Sequence, residues 1–193
     1  MNTTRTHVFL ASQSPRRRDL LEQIGVSFEV LDVDIDEVVA VGEPALDYVR
    51  RVAREKAGAG LVKVAAIPHA IVLAADTEVV LDDVVFGKPA DAEAATQMLR
   101  QLSGRTHKVL SAVVVLDAGR EAELVSTTTV RFAHLSEADI ADYVATGQCF
   151  GKAGAYAIQG YAARFVEHIE GSYSGVMGLP LHETALLLRQ FER

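Results

Sequence analysis

Apolar positions along the chain fall into short runs with the period of a strand and longer stripes with the period of a helix. Residues 8–11 (VFLA) form a short apolar strand. The polar turn Ser12-Gln13-Ser14 then leads into a helix predicted over 15–24, with Gly25 as its stop. Residues 28–33 read as a second strand that runs into an acidic loop with Asp34, Asp36 and Glu37. A second helix is predicted over 44–62. The near-continuous apolar run 70–75 has the look of a buried central strand, and it is expected to stop at Asp76. Residues 78–81 and 84–86 flank Asp82-Asp83, a hairpin signal. A helix over 92–102 follows, closed by Gly104.

The second half continues the mixture. Residues 108–116 and 124–132 predict a long strand pair around Gly119. Ser136 with Asp139 three positions on has the form of a capping box and opens a helix to about 146. Glycine-rich turns over 147–160 precede a strand near 163–169, and after the loop 171–180 a last helix runs to Phe191. Strands and helices intermix without repeats, low-complexity tracts or linkers, so the expectation is a single α/β domain over residues 1–193.

Composition narrows the function classes. Apolar residues make up 49% of 193, enough for a substantial core. No apolar run approaches the roughly 18 residues of a membrane span, and residues 1–7 are polar and lack a signal-peptide apolar region, so a cytoplasmic protein is expected. The single cysteine, Cys149, excludes an internal disulfide and a thiolate zinc cluster, and reads best as a small buried filler. A net charge of −7 disfavours a surface that coats a nucleic-acid polymer. Yet Arg16, Arg17, Arg18, Arg50, Arg51, Arg54 and Lys56 all fall in the first third, a pattern suited to a small polyanion.

Helical phase separates these cations. Arg17 heads the stripe Arg17, Leu20, Leu21, Ile24 and should lie over the core side. Arg16 is about a hundred degrees round and can still reach the helix mouth, whereas Arg18 lies with Glu22 toward solvent. Ser14 suits the N-cap and Pro15 the first helical position, so the free N–H groups beside Arg16 and Arg17 make an anion site. In the second helix Lys56 shares a face with Val49, Ala53 and Gly60, while Arg50 and Arg54 align with Asp47 on a surface face. Lys56 is then either a snorkelling lysine at the core edge or an anion ligand. Asp76, directly after a buried strand, stands where open α/β sheets place ligands, or it caps a turn through Thr77 and Glu78. Carboxylates in the acidic loop beside these cations balance if a phosphate and a divalent metal join them. Lys88, closing the hairpin that starts beside Asp76, can curl back over the site. The sequence holds no complete phosphate loop, no G-x-G-x-x-G, no metal-spaced histidines and no Gly-x-Ser-x-Gly.

Six segments taken together resemble the Maf family of nucleoside triphosphate pyrophosphatases. They are Leu10-Ala11-Ser12-x-Ser14-Pro15-Arg16-Arg17, Arg54-Glu55-Lys56-Ala57, Ala75-Asp76-Thr77, Gly87-Lys88-Pro89, Gly151-Lys152-Ala153-Gly154-x-Tyr156-x-Ile158-Gln159-Gly160 and Gly178-Leu179-Pro180-Leu181. The resemblance implies an elongated, twisted mixed sheet flanked by helices, in two lobes around a cleft, as in inosine-triphosphatase-like folds. It implies hydrolysis of a nucleoside triphosphate to the monophosphate and pyrophosphate with Mg²⁺ or Mn²⁺. Its phosphate-binding positions fall on Ser12, Arg16, Arg17, Lys56 and Lys88. Its acidic, metal-holding positions fall on Glu37 and Asp76, with Asp76 the proton acceptor. Its selectivity positions fall on Arg16, Thr77 and Gln159. Residues 156–160 and 171–174 resemble the subgroup acting on dTTP and UTP, and a homodimer is the family-level expectation. Gln13, and Cys149-Phe150 ahead of Gly151-Lys152, depart from the family's usual residues. Two other readings are a nucleotide-binding regulator of cell division with little turnover and a pyrophosphatase selective for ITP or 7-methyl-GTP.

Overall fold

The structure, a computed structural model, describes residues 7–191; the stretch 1–6 read above as a polar leader to the first strand lies outside them. The elements in order are β1 (His7–Ala11), α1 (Pro15–Gln23), β2 (Phe28–Leu31), α2 (Ala45–Lys63), β3 (Ala70–Leu81), β4 (Val84–Phe86), α3 (Ala92–Leu102), β5 (Thr106–Leu116) and β6 (Glu121–Phe132). After them come α4 (Glu137–Ala145), β7 (Val166–Glu170), α5 (Tyr173–Met177) and α6 (Leu181–Phe191). The strands form one mixed seven-stranded sheet in the order β2-β1-β3-β5-β6-β7, with β4 paired to β3. β1 runs parallel to both β2 and β3, and the remaining pairs are antiparallel.

One expectation about the central strand is overturned, and the reason locates the site. The strand does not stop at Asp76: β3 continues to Leu81 because β5 pairs with each residue from Val72 to Val80. What stops is β1. Its register with β3 reaches Leu10 opposite Leu73, and β4 begins only at Phe86 opposite Val79. From 74 to 78, β3 therefore has no strand on that side, and a gap opens at the carboxyl end of β1. From β1 the chain crosses to β2 on one side and then to β3 on the other, the reversal at which α/β sheets leave a crevice.

Two smaller corrections concern the C-terminal half. Residues expected to open the strand at 163 form a 3-10 turn, Tyr161–Phe165, and β7 begins at Val166. Ala162 and Phe165, three apart, are both buried, and the 3-10 period brings such residues onto one face. The loop before the last helix contains α5, whose N-cap Ser172 accepts from Gly175 N–H. The capping box at Ser136 and Asp139 forms as read from the sequence.

Packing divides the molecule into two lobes. α2 covers one face of the sheet with Val49, Ala53 and Ala57 against Val72, Ala74 and Val114. α1 and α6 cover the other with Leu20, Leu21 and Leu187 against Leu73 and Val113. Beyond the gap, Leu99, Leu102, Phe132, Tyr143, Phe165 and the free, buried Cys149 form a separate core beneath α3 and α4. Gly60 sets the height of α2: a Cβ there would stand 2.8 Å from Val72 Cγ1 and 3.0 Å from the Cβ of Ala11. The surface face of α2 behaves as expected, with Arg54 2.6 Å from Glu121 and Arg50 paired to Glu123 on β6. No helix among the described residues is long and apolar enough to cross a membrane.

The distal core contains a buried histidine. His107 Nε2 lies 2.9 Å from the Tyr156 hydroxyl, and the ring packs edge-on against Phe132. Burial pushes its pKa down to about 4, below the 6.5 of a solvated imidazole. The unfolded chain therefore binds the extra proton between those values, so stability is complete above pH 6.5 and falls as pH drops toward 4. Linkage gives about 2 kcal/mol of loss between pH 7.5 and 5 from this group. Urea titrations of wild type and His107→Phe at the two pH values should differ by that amount, the variant lacking this contribution. Equal pH dependence in both proteins would rule the histidine out as its source.

Candidate active site

The gap in the sheet is a cavity of about 440 Å³, lined from both lobes and within the size range of small-molecule sites. Of the expected site residues, Ser12, Arg16, Arg17, Glu37, Lys56, Asp76, Thr77 and Lys88 line it. Gln159 does not. It is exposed, while its neighbours Ala157 and Ile158 are buried and Tyr156 faces the cavity. Arg18 also stands outside the lining, partly exposed, as its helical phase predicts.

Lys56 does not snorkel: it is buried, and its ammonium pairs with two carboxylates of the cavity. The close seat of α2 on the sheet carries its ammonium inward, where Nζ donates to Asp76 Oδ1 at 2.8 Å and pairs with Glu37 Oε1 at 2.6 Å. The other Glu37 oxygen pairs with Lys88, which reaches back from the turn after β4. Burial alone would raise the Glu37 pKa, but the hydrogen bonds from Lys56 and then Lys88 outweigh it and hold the carboxyl at about 2. A chain of Asp76, Lys56, Glu37 and Lys88 thus forms one wall.

The opposite wall is made of cations that form no ion pair with a carboxylate among the described residues. Arg17 is buried; its Nε donates to the Gly178 carbonyl at 2.8 Å and its Nη1 to Ser12 Oγ at 3.4 Å. Burial lowers its pKa, against the pull of Asp76, Glu37 and Glu78. Arg16 Nε donates to the Met177 carbonyl at 3.0 Å. Ser14 occupies the N-cap of α1 by position but makes no side-chain cap bond; Ser12 Oγ instead accepts from Ser14 N–H at 3.2 Å. The start of α1, with Pro15 first, is therefore uncapped by side chains beside two guanidiniums. Thr77 is tied into the same wall: its hydroxyl lies 2.8 Å from Ser111 Oγ and donates to the Gly178 carbonyl at 3.3 Å.

Two lining residues escape the sequence reading of the site. Lys152 lies across the cavity, its Nζ donating to the Phe150 carbonyl at 3.0 Å; burial and then Arg16 lower its pKa. Gly154 fixes this turn, with φ +65 and a Cβ position 2.8 Å from the Val79 side chain, a close approach that only glycine allows. Glu78 is the second. Two positions after Asp76 it shares that residue's face of β3, a spacing that could have marked it. It is 5% exposed, and burial, with Asp76 beside it, raises its pKa to about 8.

Asp76 Oδ2 and Glu78 Oε2 are both buried without a hydrogen-bond partner among the described residues. Unpaired buried carboxylate oxygens are costly, so their presence in a cavity points to a cationic occupant. Among the described residues no three His, Cys, Asp or Glu side chains gather to hold a metal ion unaided. Mg²⁺ characteristically takes one or two carboxylates and completes its shell with substrate phosphates and water, and the two free oxygens fit that donor set. Glu37, by contrast, has both oxygens engaged by lysines.

Comparison with known proteins agrees with this architecture. The family described as Maf-like protein matches residues 7–191. The dTTP/UTP pyrophosphatase of Chromobacterium violaceum is 54% identical over 193 residues, covering 99% of this chain and 98% of the relative. That of Xanthomonas euvesicatoria is 55% identical over 186 residues, with 95% and 98% covered. The dTTP/UTP pyrophosphatase of Aromatoleum aromaticum is 50% identical over 202 residues, with 99% and 98% covered. On a match that spans both lobes and the cavity between them, the chain belongs to the Maf-like protein family.

Proposed function

We propose that the protein hydrolyses dTTP and UTP to the nucleoside monophosphate and pyrophosphate. The reading draws on relatives that carry that name along nearly their whole length. The observation that carries it in this chain is Asp76: one oxygen held by Lys56 and the other buried and, among the described residues, without a partner, in a cavity that Arg16, Arg17 and Lys152 also line.

Water attacks the α-phosphorus and pyrophosphate leaves. Lys56 holds Asp76 in place through Oδ1, so Oδ2 is the oxygen positioned to orient the water and accept its proton. Arg16, Arg17 and Lys152 face the triphosphate and stabilise the charge that grows on the leaving oxygens; such preorganised donors supply most of the catalysis in phosphoryl chemistry. Ser12 Oγ sets the approach of Arg17 and of the turn before α1. Glu37 keeps Lys56 and Lys88 together at the other wall. A divalent cation would be held at Asp76, beside the attacking water; Glu37, the second acidic position that the family resemblance names, has both oxygens engaged by Lys56 and Lys88. When bound, Mg²⁺ or Mn²⁺ would withdraw charge from the phosphate oxygens. Selection of thymine or uracil by Gln159, whose amide offers both a donor and an acceptor, requires the base to reach past the cavity lining toward 156–160.

A nucleotide panel with Mg²⁺, read as pyrophosphate, tests the reading. dTTP and UTP should turn over faster than ITP and 7-methyl-GTP at equal concentration. Release of orthophosphate, or binding of triphosphates without turnover, would refute the activity and favour a nucleotide-binding regulator.

A further inference from the structure

We infer that Glu78 is a direct ligand of the divalent cation, sharing it with Asp76, and that Glu37 serves instead as the bridge between Lys56 and Lys88. Asp76 and Glu78 project from the same face of β3, with Cα atoms about 7 Å apart at the usual strand rise. Side chains at that spacing can converge on one ion. The residues opposite them on β5 are Ala112 and Leu110, so neither carboxylate has a polar partner across the strand pair. Lys56 and Lys88, the nearest cations on that wall, are bound to Glu37 and Asp76, and neither forms an ion pair with Glu78.

Glu78 is therefore a carboxylate 5% exposed, lining the cavity, with a buried oxygen that nothing among the described residues satisfies. A side chain kept this way in a core strand, where valine or isoleucine would pack at no such cost, fits a ligand that is absent from the polypeptide. The free oxygen of Asp76 is in the same state and in the same cavity. Two oxygens left open on adjacent inward positions form a pair of donors, whereas Glu37 would have to give up a lysine to join them.

The inference rests on the pyrophosphatase reading for the presence of a divalent cation. Its test is uptake of Mn²⁺ alone by the full chain, followed as loss of the free-ion electron paramagnetic resonance signal, with no nucleotide and no assay of turnover. Glu78→Gln, an isosteric change, should weaken Mn²⁺ at least about tenfold, the low end of what loss of even an outer metal partner costs. Glu78→Asp, which keeps the charge on a shorter arm, should fall between that variant and wild type. Mn²⁺ should raise the melting temperature of wild type more than that of Glu78→Gln, since only a bound ion stabilises the fold.

Wild-type affinity in both folded Glu78 variants would overturn the inference. So would a loss in Glu37→Gln with none in Glu78→Gln, or no uptake by wild type either alone or with a non-hydrolysable dTTP analogue. Hydrolysis of dTTP together with unaffected Mn²⁺ binding by Glu78→Gln refutes this inference alone. Mn²⁺ held through Glu78 without turnover of any triphosphate refutes the activity alone.

Discussion

Asp76→Asn should lower turnover of dTTP by at least about 10³-fold, within the range that a positioned general base contributes, while triphosphate affinity stays within a few-fold of wild type. Asparagine keeps the shape and can still accept the Lys56 hydrogen bond that Asp76 Oδ1 accepts at 2.8 Å. What is lost is the charge and the basicity of Oδ2. The groups proposed above to meet the triphosphate, Arg16, Arg17 and Lys152, lie on another wall and are untouched. Single-turnover kinetics would measure the first quantity and calorimetric titration with dTTP the second. A variant that retains full activity would remove Asp76 as the base and leave Glu78 as the other buried carboxylate of the cavity with an open oxygen among the described residues.

Lys56→Met should be damaging twice over. Among the described residues its ammonium is the cation paired with Asp76, and it also reaches Glu37, so its removal strands a buried carboxylate. Breaking a buried pair from one side costs about 3–5 kcal/mol. The accompanying loss in kcat should be on the order of 10²–10³, as for removal of other preorganised donors. The decisive measurement is a double-mutant cycle by urea denaturation. Adding Asp76→Asn to Lys56→Met should restore much of the lost stability, because the stranded charge is then gone. A double variant as unstable as Lys56→Met alone would show that the loss comes from packing.

These residues were legible in the sequence to different depths. Helical phase was enough to bring Arg17 and Lys56 to the inner faces of α1 and α2, since a 3.6-residue period fixes a side chain's direction once the apolar stripe is known. Asp76 was found for an incomplete reason. The apolar run does end there, but the strand does not, because strand continuity is decided by the partner β5 and not by the hydropathy of β3. For the same reason Glu78 read as the first polar position of a hairpin when it is the next inward position of one long strand. Lys152 sits among turns that have no period, so its direction follows only from the contact of Gly154 with Val79. The Glu37 bridge joins residues 51 positions apart through a loop, and nothing local foretells it. Gln159 is a selectivity position only by the family resemblance, and the folded turn leaves it outside the cavity lining.

The glycine at position 60 gives α2 something like a fulcrum. It lies one turn, about 6 Å of helix rise, from Lys56, where an added Cβ would stand 2.8 Å from Val72 Cγ1. Any side chain there would tilt the helix away from Val72 and Ala11 and swing the ammonium off Asp76. The alignment of the charges in the cleft is thus set by a residue that has neither charge nor side chain. A defect introduced at 60 would present as faulty electrostatics although its cause is purely steric.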